Sequence, residues 1–332
     1  MTIAGGGSWA GEWEFFRQVE GWSAAGRHRD VLEALERLPV AVREHRTRSA
    51  LLAAEAHGRL GNSVEAARWA DLAGTLARAY GEANAELRAR NYRGAIALRN
   101  GDVAEAESHF EAAIEMARAL HDHTAEARCL NNLGILANIR GEPDTALASY
   151  RMALVAYQHA GHVRGIAETH HNIAISFRDQ GNARSALDAS EEALRLATQV
   201  GDEQLIALTT TGRAELHVAL GDPAFAAAEL HRAEEQYGRI GFQAGLPEVW
   251  RVQAAVARAT REFSAAVALL NKAATLAAQY GSSDTLADIV RDLSGALYDT
   301  GDVEGARTAR ERAATLYRKV GAVAAAERLP KF

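Results

Sequence analysis

The sequence predicts an all-α solenoid of antiparallel helix pairs, and three regularities predict it. Glycine recurs at positions 61, 101, 141, 181, 221 and 301; a second series at 81, 161, 201, 241, 281 and 321 is offset from the first by 20 residues. Each series has a period of 40, interrupted by Arg261 in the first and by His121 in the second. Alanine fills every one of positions 66, 106, 146, 186, 226, 266 and 306, and again 73, 113, 153, 193, 233, 273 and 313. Self-similarity at a fixed period of this length marks a repeat array. Between the glycines the chain is rich in Ala, Leu, Glu and Arg, all good helix formers, with apolar residues three and four apart.

Taken in chain order, each 40-residue unit reads as two helices with tight turns. A glycine after each apolar-periodic run fits the left-handed residue that ends a helix. Asn62, Asp102, Asn182, Asp222 and Asp302 follow their glycines and are placed to accept hydrogen bonds from the next helix's free N–H groups. Pro223 suits a first helical position. In "GEPDTALASY", Asp144 is expected to cap in place of Glu142. Arg261, without a glycine, predicts a looser turn in the sixth unit.

The two alanine columns are seven residues apart and share one side of each second helix. A third column, in the first helices, is also small: Ala54, Gly94, Gly134, Ala174, Ala214, Ala254 and Ser294. Larger groups would force helices apart, typically by about 1–3 kcal/mol of overpacking. These slots are therefore the close contacts, and the variable slots face solvent or a partner.

Composition narrows the function. A formal net charge of −6 over 332 residues argues against nucleic acid as a partner. Cys129 is the single cysteine, so intrachain disulfides and cysteine-rich zinc sites are excluded and a reducing compartment fits. The start, "MTIAGGGSWAGEWEFF", lacks the basic and apolar regions of a signal peptide, and no apolar run is long enough to span a bilayer. The expectation is a cytoplasmic protein with no membrane partner. Phosphate-binding, zinc-protease and nucleophile-elbow motifs are missing, so neither catalysis nor a cofactor is expected. Cys129 sits inside a repeat helix and reads as a structural thiol. His170 and His171, adjacent on a helix, point in different directions, and a metal site is not expected.

The segment "NNLGILANIRGEPDTALASYRMAL" resembles the tetratricopeptide repeat, with Leu133, Gly134, Ala146, Tyr150 and Ala153 in the signature slots. The usual repeat has 34 residues; the 40-residue form resembles the long-helix subtype of kinesin light chains, spindle adaptors and bacterial regulators. Only Trp250 supplies the tryptophan of the first-helix signature. The resemblance implies a right-handed superhelical solenoid of about seven full repeats, near 41–81, 82–121, 122–161, 162–201, 202–241, 242–281 and 282–321. Residues 1–40 would be a flexible leader and an N-terminal capping helix pair, and 322–332 a C-terminal cap or tail. Trp9, Trp13 and Phe16, at helical spacing, form a capping surface or a homo-oligomer contact.

The same resemblance assigns the groove. Its inner columns place Arg48, Arg88 and Arg128 in register, beside Asn91, Asn131 and Asn138, then His171, Arg178, Arg251 and Arg258, with Ile135 and Ile175 as an apolar floor. Asparagine can bond an extended peptide backbone through both a donor and an acceptor, and arginine can clamp a carboxylate. The implied function is a non-catalytic interaction scaffold whose groove binds an extended acidic segment of another protein. The alternative is a ligand- or peptide-sensing bacterial regulator acting on a separate effector. Asn132 and Asn172 lie beside the columns and are expected to tie helices together.

Overall fold

The computed structural model describes residues 11–24, 27–280 and 283–331. Eighteen α-helices and one 3-10 turn occur among them, and no strand. The chain divides into two compact units, residues 1–97 with 104–121, and residues 98–103 with 122–332.

The first unit opens with three helices that lie off the repeat period: α1 (Glu12–Ala24), α2 (His28–Glu36) and α3 (Val40–Arg43). They pack on the first repeat helix, α4 (Thr47–Arg59), which pairs with α5 (Ser63–Tyr80). Phe16, Val31, Leu35, Leu52 and Trp69 share their core. Most of α6 (Ala83–Asn100) and α7 (Val103–Ala119) completes the unit, with Gly94 against the Phe110 ring. Trp9 lies outside the described residues. Trp13 is 69 % exposed, whereas Phe16 is 1 % exposed. Phe16 is thus core, not surface, because the off-period helices must bury an apolar stripe of their own.

The second unit holds the helix pairs α8 (His123–Arg140) and α9 (Pro143–His159), α10 (Val163–Asp179) and α11 (Ala183–Val200), and α12 (Glu203–Ala219) and α13 (Pro223–Arg239). These are followed by α14 (Leu246–Ala259) and α15 (Phe263–Gln279), then α16 (Ser283–Asp299) and α17 (Val303–Lys319), and finally the short α18 (Val323–Glu327). Each helix packs on the next, and the first helices α8, α10, α12, α14 and α16 also touch in succession, forming one wall. At the end of the unit α18 packs on α8, where Ile139 joins a core containing Ala322, Ala326 and Leu329.

All fourteen column alanines are buried, at 1 % exposure or less. The third column shows why its residues are small. Where it is glycine, the residue sixteen positions on is aromatic, Phe110 for Gly94 and Tyr150 for Gly134, and the ring lies on the bare backbone. Where it is alanine, at Ala174, Ala214 and Ala254, the buried residue sixteen positions on is Ser190, Leu230 or Leu270, and the two alanine–leucine pairs share one core. The summed volume is nearly the same for glycine with an aromatic ring and alanine with leucine, as close packing favours, and is smaller at Ala174 and Ser190.

The turns follow one pattern. Gly141 has φ +78°, and the Gly141 and Glu142 N–H groups bond back to the Asn138 and Ala137 carbonyls. Arg261 corrects the expected loose turn. It takes φ +65°, and Arg261 and Glu262 make the same two bonds, to Arg258 and Ala257. The packing of the flanking helices imposes the left-handed conformation despite its strain for a side-chain-bearing residue. His121 does the same at φ +54°.

The caps match in part. Asn182, Asp222 and Asp302 accept from the N–H groups of Ser185, Phe225 and Gly305, whereas Asn62 makes no side-chain cap bond. Asp144 is not the cap of α9. Pro143 starts the helix, Glu142 is the capping residue without a side-chain bond, and Asp144 lies in the first turn. Asp122, His162 and Asp202 cap three first helices whose caps the sequence reading did not single out.

Candidate functional site

The predicted groove residues divide between the two units. In the first, Arg48 makes a two-pronged ion pair with Glu20, at 2.6 Å for each bond, and its guanidinium lies 4.9 Å from the Phe16 ring. Asn91 is buried, and Arg88 is exposed and lies beside Tyr92. Arg48 thus already has its carboxylate.

In the second unit the first-helix wall carries a continuous polar ladder. On α8 and α10, Asn172 Nδ2 donates to Asn131 Oδ1 at 3.1 Å, and Asn138 Nδ2 donates to Ser176 Oγ at 2.8 Å and to Tyr150 Oη at 3.3 Å. Asn172 thus ties adjacent first helices, as expected. The pair leaves Asn131 Nδ2 and Asn172 Oδ1 without an internal partner among the described residues, one donor beside one acceptor. Arg128 is exposed, has no carboxylate partner among the described residues, and bonds the Tyr157 hydroxyl. Ile135 and Ile175 are half-buried and neighbour this ladder along α8 and α10.

Further along the wall the arginines are neutralised from within. Arg178 pairs with Glu215 and with Asp179. Arg251, 4 % exposed, reaches three carboxylates: Glu215 at 2.7 Å, Glu248 at 2.6 Å and Asp292 at 2.9 Å. Arg291 bonds Asp292 and Asp288 at 2.8 and 2.9 Å, and Tyr317 donates its hydroxyl to Asp288 at 2.5 Å. Arg258 pairs with Asp299 at 2.8 Å. The sequence columns contained Arg178, Arg251 and Arg258 but not Asp292 or Asp299, one position beyond them. The missed signal was spacing. An arginine facing a carboxylate 37 or 41 residues on places the two on adjacent first helices.

This network sets local protonation. Burial pushes the Glu215 carboxyl up, but Arg251 and then Arg178 outweigh burial and hold it down at about 2. Burial, aided by Arg178 and opposed by Glu215, pushes the His171 imidazole down to about 4. His171 is therefore neutral in the fold at pH 7, packed toward Gly212 on α12. Burial pushes the Cys129 thiol up to about 12, so it stays protonated and unreactive.

The sign for His171 follows from linkage. Its folded value lies below the ordinary 6.5, so the unfolded chain binds the proton first and stability falls as pH drops from about 6.5 to 4. His28, His57 and His170 are held down in the same direction, mainly by burial. His171→Gln is therefore expected to reduce the slope in that window by up to about 1.4 kcal/mol per pH unit, without removing it. Urea midpoints measured across pH 4–7 check this; an unaltered slope would mean that His171 titrates as if in water.

With the geometry described, the class of the fold is clear. Residues 85–159 match the family model of the tetratricopeptide repeat. The helix pairs on either side continue the same antiparallel pairing, so residues 85–159 are tetratricopeptide repeats within an all-α array of like fold. No curated protein matches the sequence. Among solved structures the chain is similar to the Rap conjugation gene regulator of plasmid pLS20 in complex with the Phr* peptide: identity is 14 %, TM-score 0.69, and 86 % of this chain and 77 % of that one are covered. It is also similar to NprR in complex with its cognate peptide NprX, at 16 % identity, TM-score 0.61, and coverage of 90 % and 87 %. A third is aspartyl phosphate phosphatase F from Bacillus subtilis, at 14 % identity, TM-score 0.56, and 97 % of both chains. No helix among the described residues is long and apolar enough to cross a membrane.

Proposed function

We propose that the protein is a non-catalytic interaction module whose first-helix wall in the second unit holds an extended peptide segment of a partner protein. The observation that carries this reading is the Asn131–Asn172 pair, which leaves a donor and an acceptor side by side. A peptide backbone supplies the matching acceptor and donor whatever its side chains. Arg128, lacking a carboxylate of its own, then selects an acidic residue or a terminal carboxylate. The acidic clamp is narrower than the full row of arginines, because Arg178, Arg251 and Arg258 already have carboxylates. Absence of catalysis fits a wall whose charges neutralise one another and a thiol that stays protonated. Two of the similar solved structures hold peptides, which supports the same reading.

The alternative, a peptide- or ligand-sensing regulator acting on a separate effector, is favoured by one observation. Because α18 returns to α8, a ligand on α8 and α10 adjoins the last helix of the unit and can alter its seating.

The test is selection of decapeptides from a random displayed library, followed by fluorescence polarisation with the selected sequences. Selected peptides are expected to share a carboxylate. Their affinity is expected to fall by about 10- to 100-fold with Arg128→Ala, the range for a charge-assisted hydrogen bond, and by about 2- to 10-fold with Asn131→Ala, the range for a neutral one. Binding indifferent to both changes would remove this site.

A further inference from the structure

A second feature of the same unit lies away from the asparagine ladder. Between α9 and α11, floored by α10, is a cleft of about 410 Å³. Leu147 and Leu154 line its α9 wall, and Ile173 and Phe177 its floor. At three other places along the chain the corresponding groove between second helices is bridged from within. Arg93, in the position of Ile173, pairs with Asp71 at 3.2 Å on one wall and with Glu105 at 2.8 Å on the other. Arg213, in the same position, pairs with Glu229, and the Phe225 ring lies 4.4 Å from the His217 ring. One repeat further, Trp250 and Gln253 both donate to Glu234, at 2.8 and 2.9 Å.

The α9–α11 cleft lacks each of these fillings. Ile173 stands where Arg93, Arg213 and Gln253 stand, and its side chain cannot bond either wall. Ser185 takes the position of Phe225 and Ala189 that of Glu229, so Phe177 has no ring like the one beside its counterpart His217. The charges at the rim also break the pattern of the unit. Arg151 on the α9 wall stands where Glu191, His231, Asn271 and Glu311 stand, and Asp188 on the α11 wall where Ala148, Ala228, Ala268 and Thr308 stand. Neither Arg151 nor Asp188 has a hydrogen-bond or ion-pair partner among the described residues. Glu192, also at the cleft, is already taken by Arg195 at 2.7 Å.

A cation on one wall and an anion on the other, above an apolar floor, define their complement by charge and by backbone. An extended segment laid here would hold its N–H and C=O groups over Leu147, Ile173 and Phe177, which offer them no partner. A helix satisfies its backbone internally and needs to present only an apolar stripe. Leu147, Arg151 and Leu154 span two turns of α9, about 10 Å, which accommodates two anchors one turn apart. We propose that the cleft docks an amphipathic helix of a partner protein. Its two apolar or aromatic anchors rest on Phe177 and Ile173, with an acidic residue on the flank facing Arg151 and a basic residue on the flank facing Asp188. The cleft belongs to the second helices, so this contact is independent of the peptide reading, which concerns the first-helix wall.

The test is selection from a displayed library of helix-forming peptides of about 15 residues, a length that holds helix readily in isolation. The bait is the full chain carrying Arg128→Ala and Asn131→Ala, so that the first-helix wall contributes nothing. Selected peptides are expected to repeat the anchor and flank pattern, to gain helical circular dichroism on binding, and to bind the wild-type chain equally. Ser185→Phe, which fills the cleft as Phe225 occupies the next groove, is expected to weaken them at least about tenfold, the effect of denying one large apolar anchor its burial. Arg151→Glu and Asp188→Arg are each expected to weaken them about 2- to 5-fold, the range for exposed ion pairs. Selection on the double variant Arg151→Glu with Asp188→Arg is expected to return peptides whose flanking charges are exchanged. Thermal melts confirm that each variant is folded. Failure to select any peptide, selected peptides that ignore Ser185→Phe, or a flank preference unchanged by the charge swap would overturn the proposal. So would self-association of the chain that Ser185→Phe abolishes, since a second copy would then be the occupant.

Discussion

Replacing Arg251 with methionine is expected to destabilise the protein by about 3–5 kcal/mol, the range for removing one partner of a buried ion pair. Methionine nearly preserves length and apolar volume, so packing loss is small. The damage is electrostatic. Glu215, Glu248 and Asp292 all point at Arg251, and Glu215 and Asp292 are themselves largely buried. Arg178 and Arg291 remain to hold part of that charge, which places the expectation toward the lower end. A pH signature accompanies it. Glu215 is held down by Arg251 first among its charges, so its contribution is present above the ordinary carboxylate value and is lost as pH falls toward 2. In the variant its carboxyl rises, and the difference from wild type shrinks as the solution is acidified through pH 5 to 4. Urea denaturation at pH 7 and pH 4.5 measures both effects. A loss below about 1 kcal/mol at pH 7 would mean that water, not Arg251, solvates these carboxylates.

The second large effect is expected from Gly134→Ala. On helix propensity alone the change would stabilise α8 by about 1 kcal/mol. The contact reverses the sign. A Cβ on Gly134 would overlap the Tyr150 ring, at 2.6 Å from Cδ1 and 2.7 Å from Cζ. Tyr150 cannot retreat, since it is 1 % exposed and its hydroxyl is hydrogen-bonded by Asn138. Overpacking typically costs about 1–3 kcal/mol, and the buried, hydrogen-bonded ring places the cost toward the upper end, so after the propensity gain a net loss of up to about 2 kcal/mol is expected. Tyr150→Leu should rescue the variant, because leucine already faces alanine at Ala214–Leu230 and Ala254–Leu270. Thermal melts of the two single variants and the double complete the cycle, and additive losses would dismiss the pairing.

The architecture was legible because it repeats one local requirement. Turns recur every twenty residues and each needs the same backbone conformation, so glycine marks them along the chain. Close helix contacts recur every forty and each needs the same small side chain, so alanine marks those. Arg261 shows the reverse case. Its residue type argued for a loose turn, yet flanking helices held by their own packing impose the same φ on a poorer residue. Phe16 shows a second. Helical spacing could not decide between core and surface until the off-period helices had settled against α4.

The candidate site was legible only in outline. The columns placed the right residue types on one wall, because helical periodicity fixes which side chains share a face. They did not show which arginines were already satisfied. Asn131, Asn172 and Arg128 have no carboxylate and keep unused capacity, while Arg178, Arg251 and Arg258 already pair with carboxylates, and nothing in their own column distinguishes the two groups. The open cleft beside α9 was equally invisible, because Leu147 and Phe177 fit a helix pattern whether or not anything covers them.

By itself the sequence determined the helix pairs, their period and their close contacts, since those depend on steric rules that act within a few residues and recur. Only the tertiary structure decided which charges are neutralised and which apolar residues stay outside. Those outcomes depend on partners some forty residues away in the chain, brought within hydrogen-bond reach by the stacking itself.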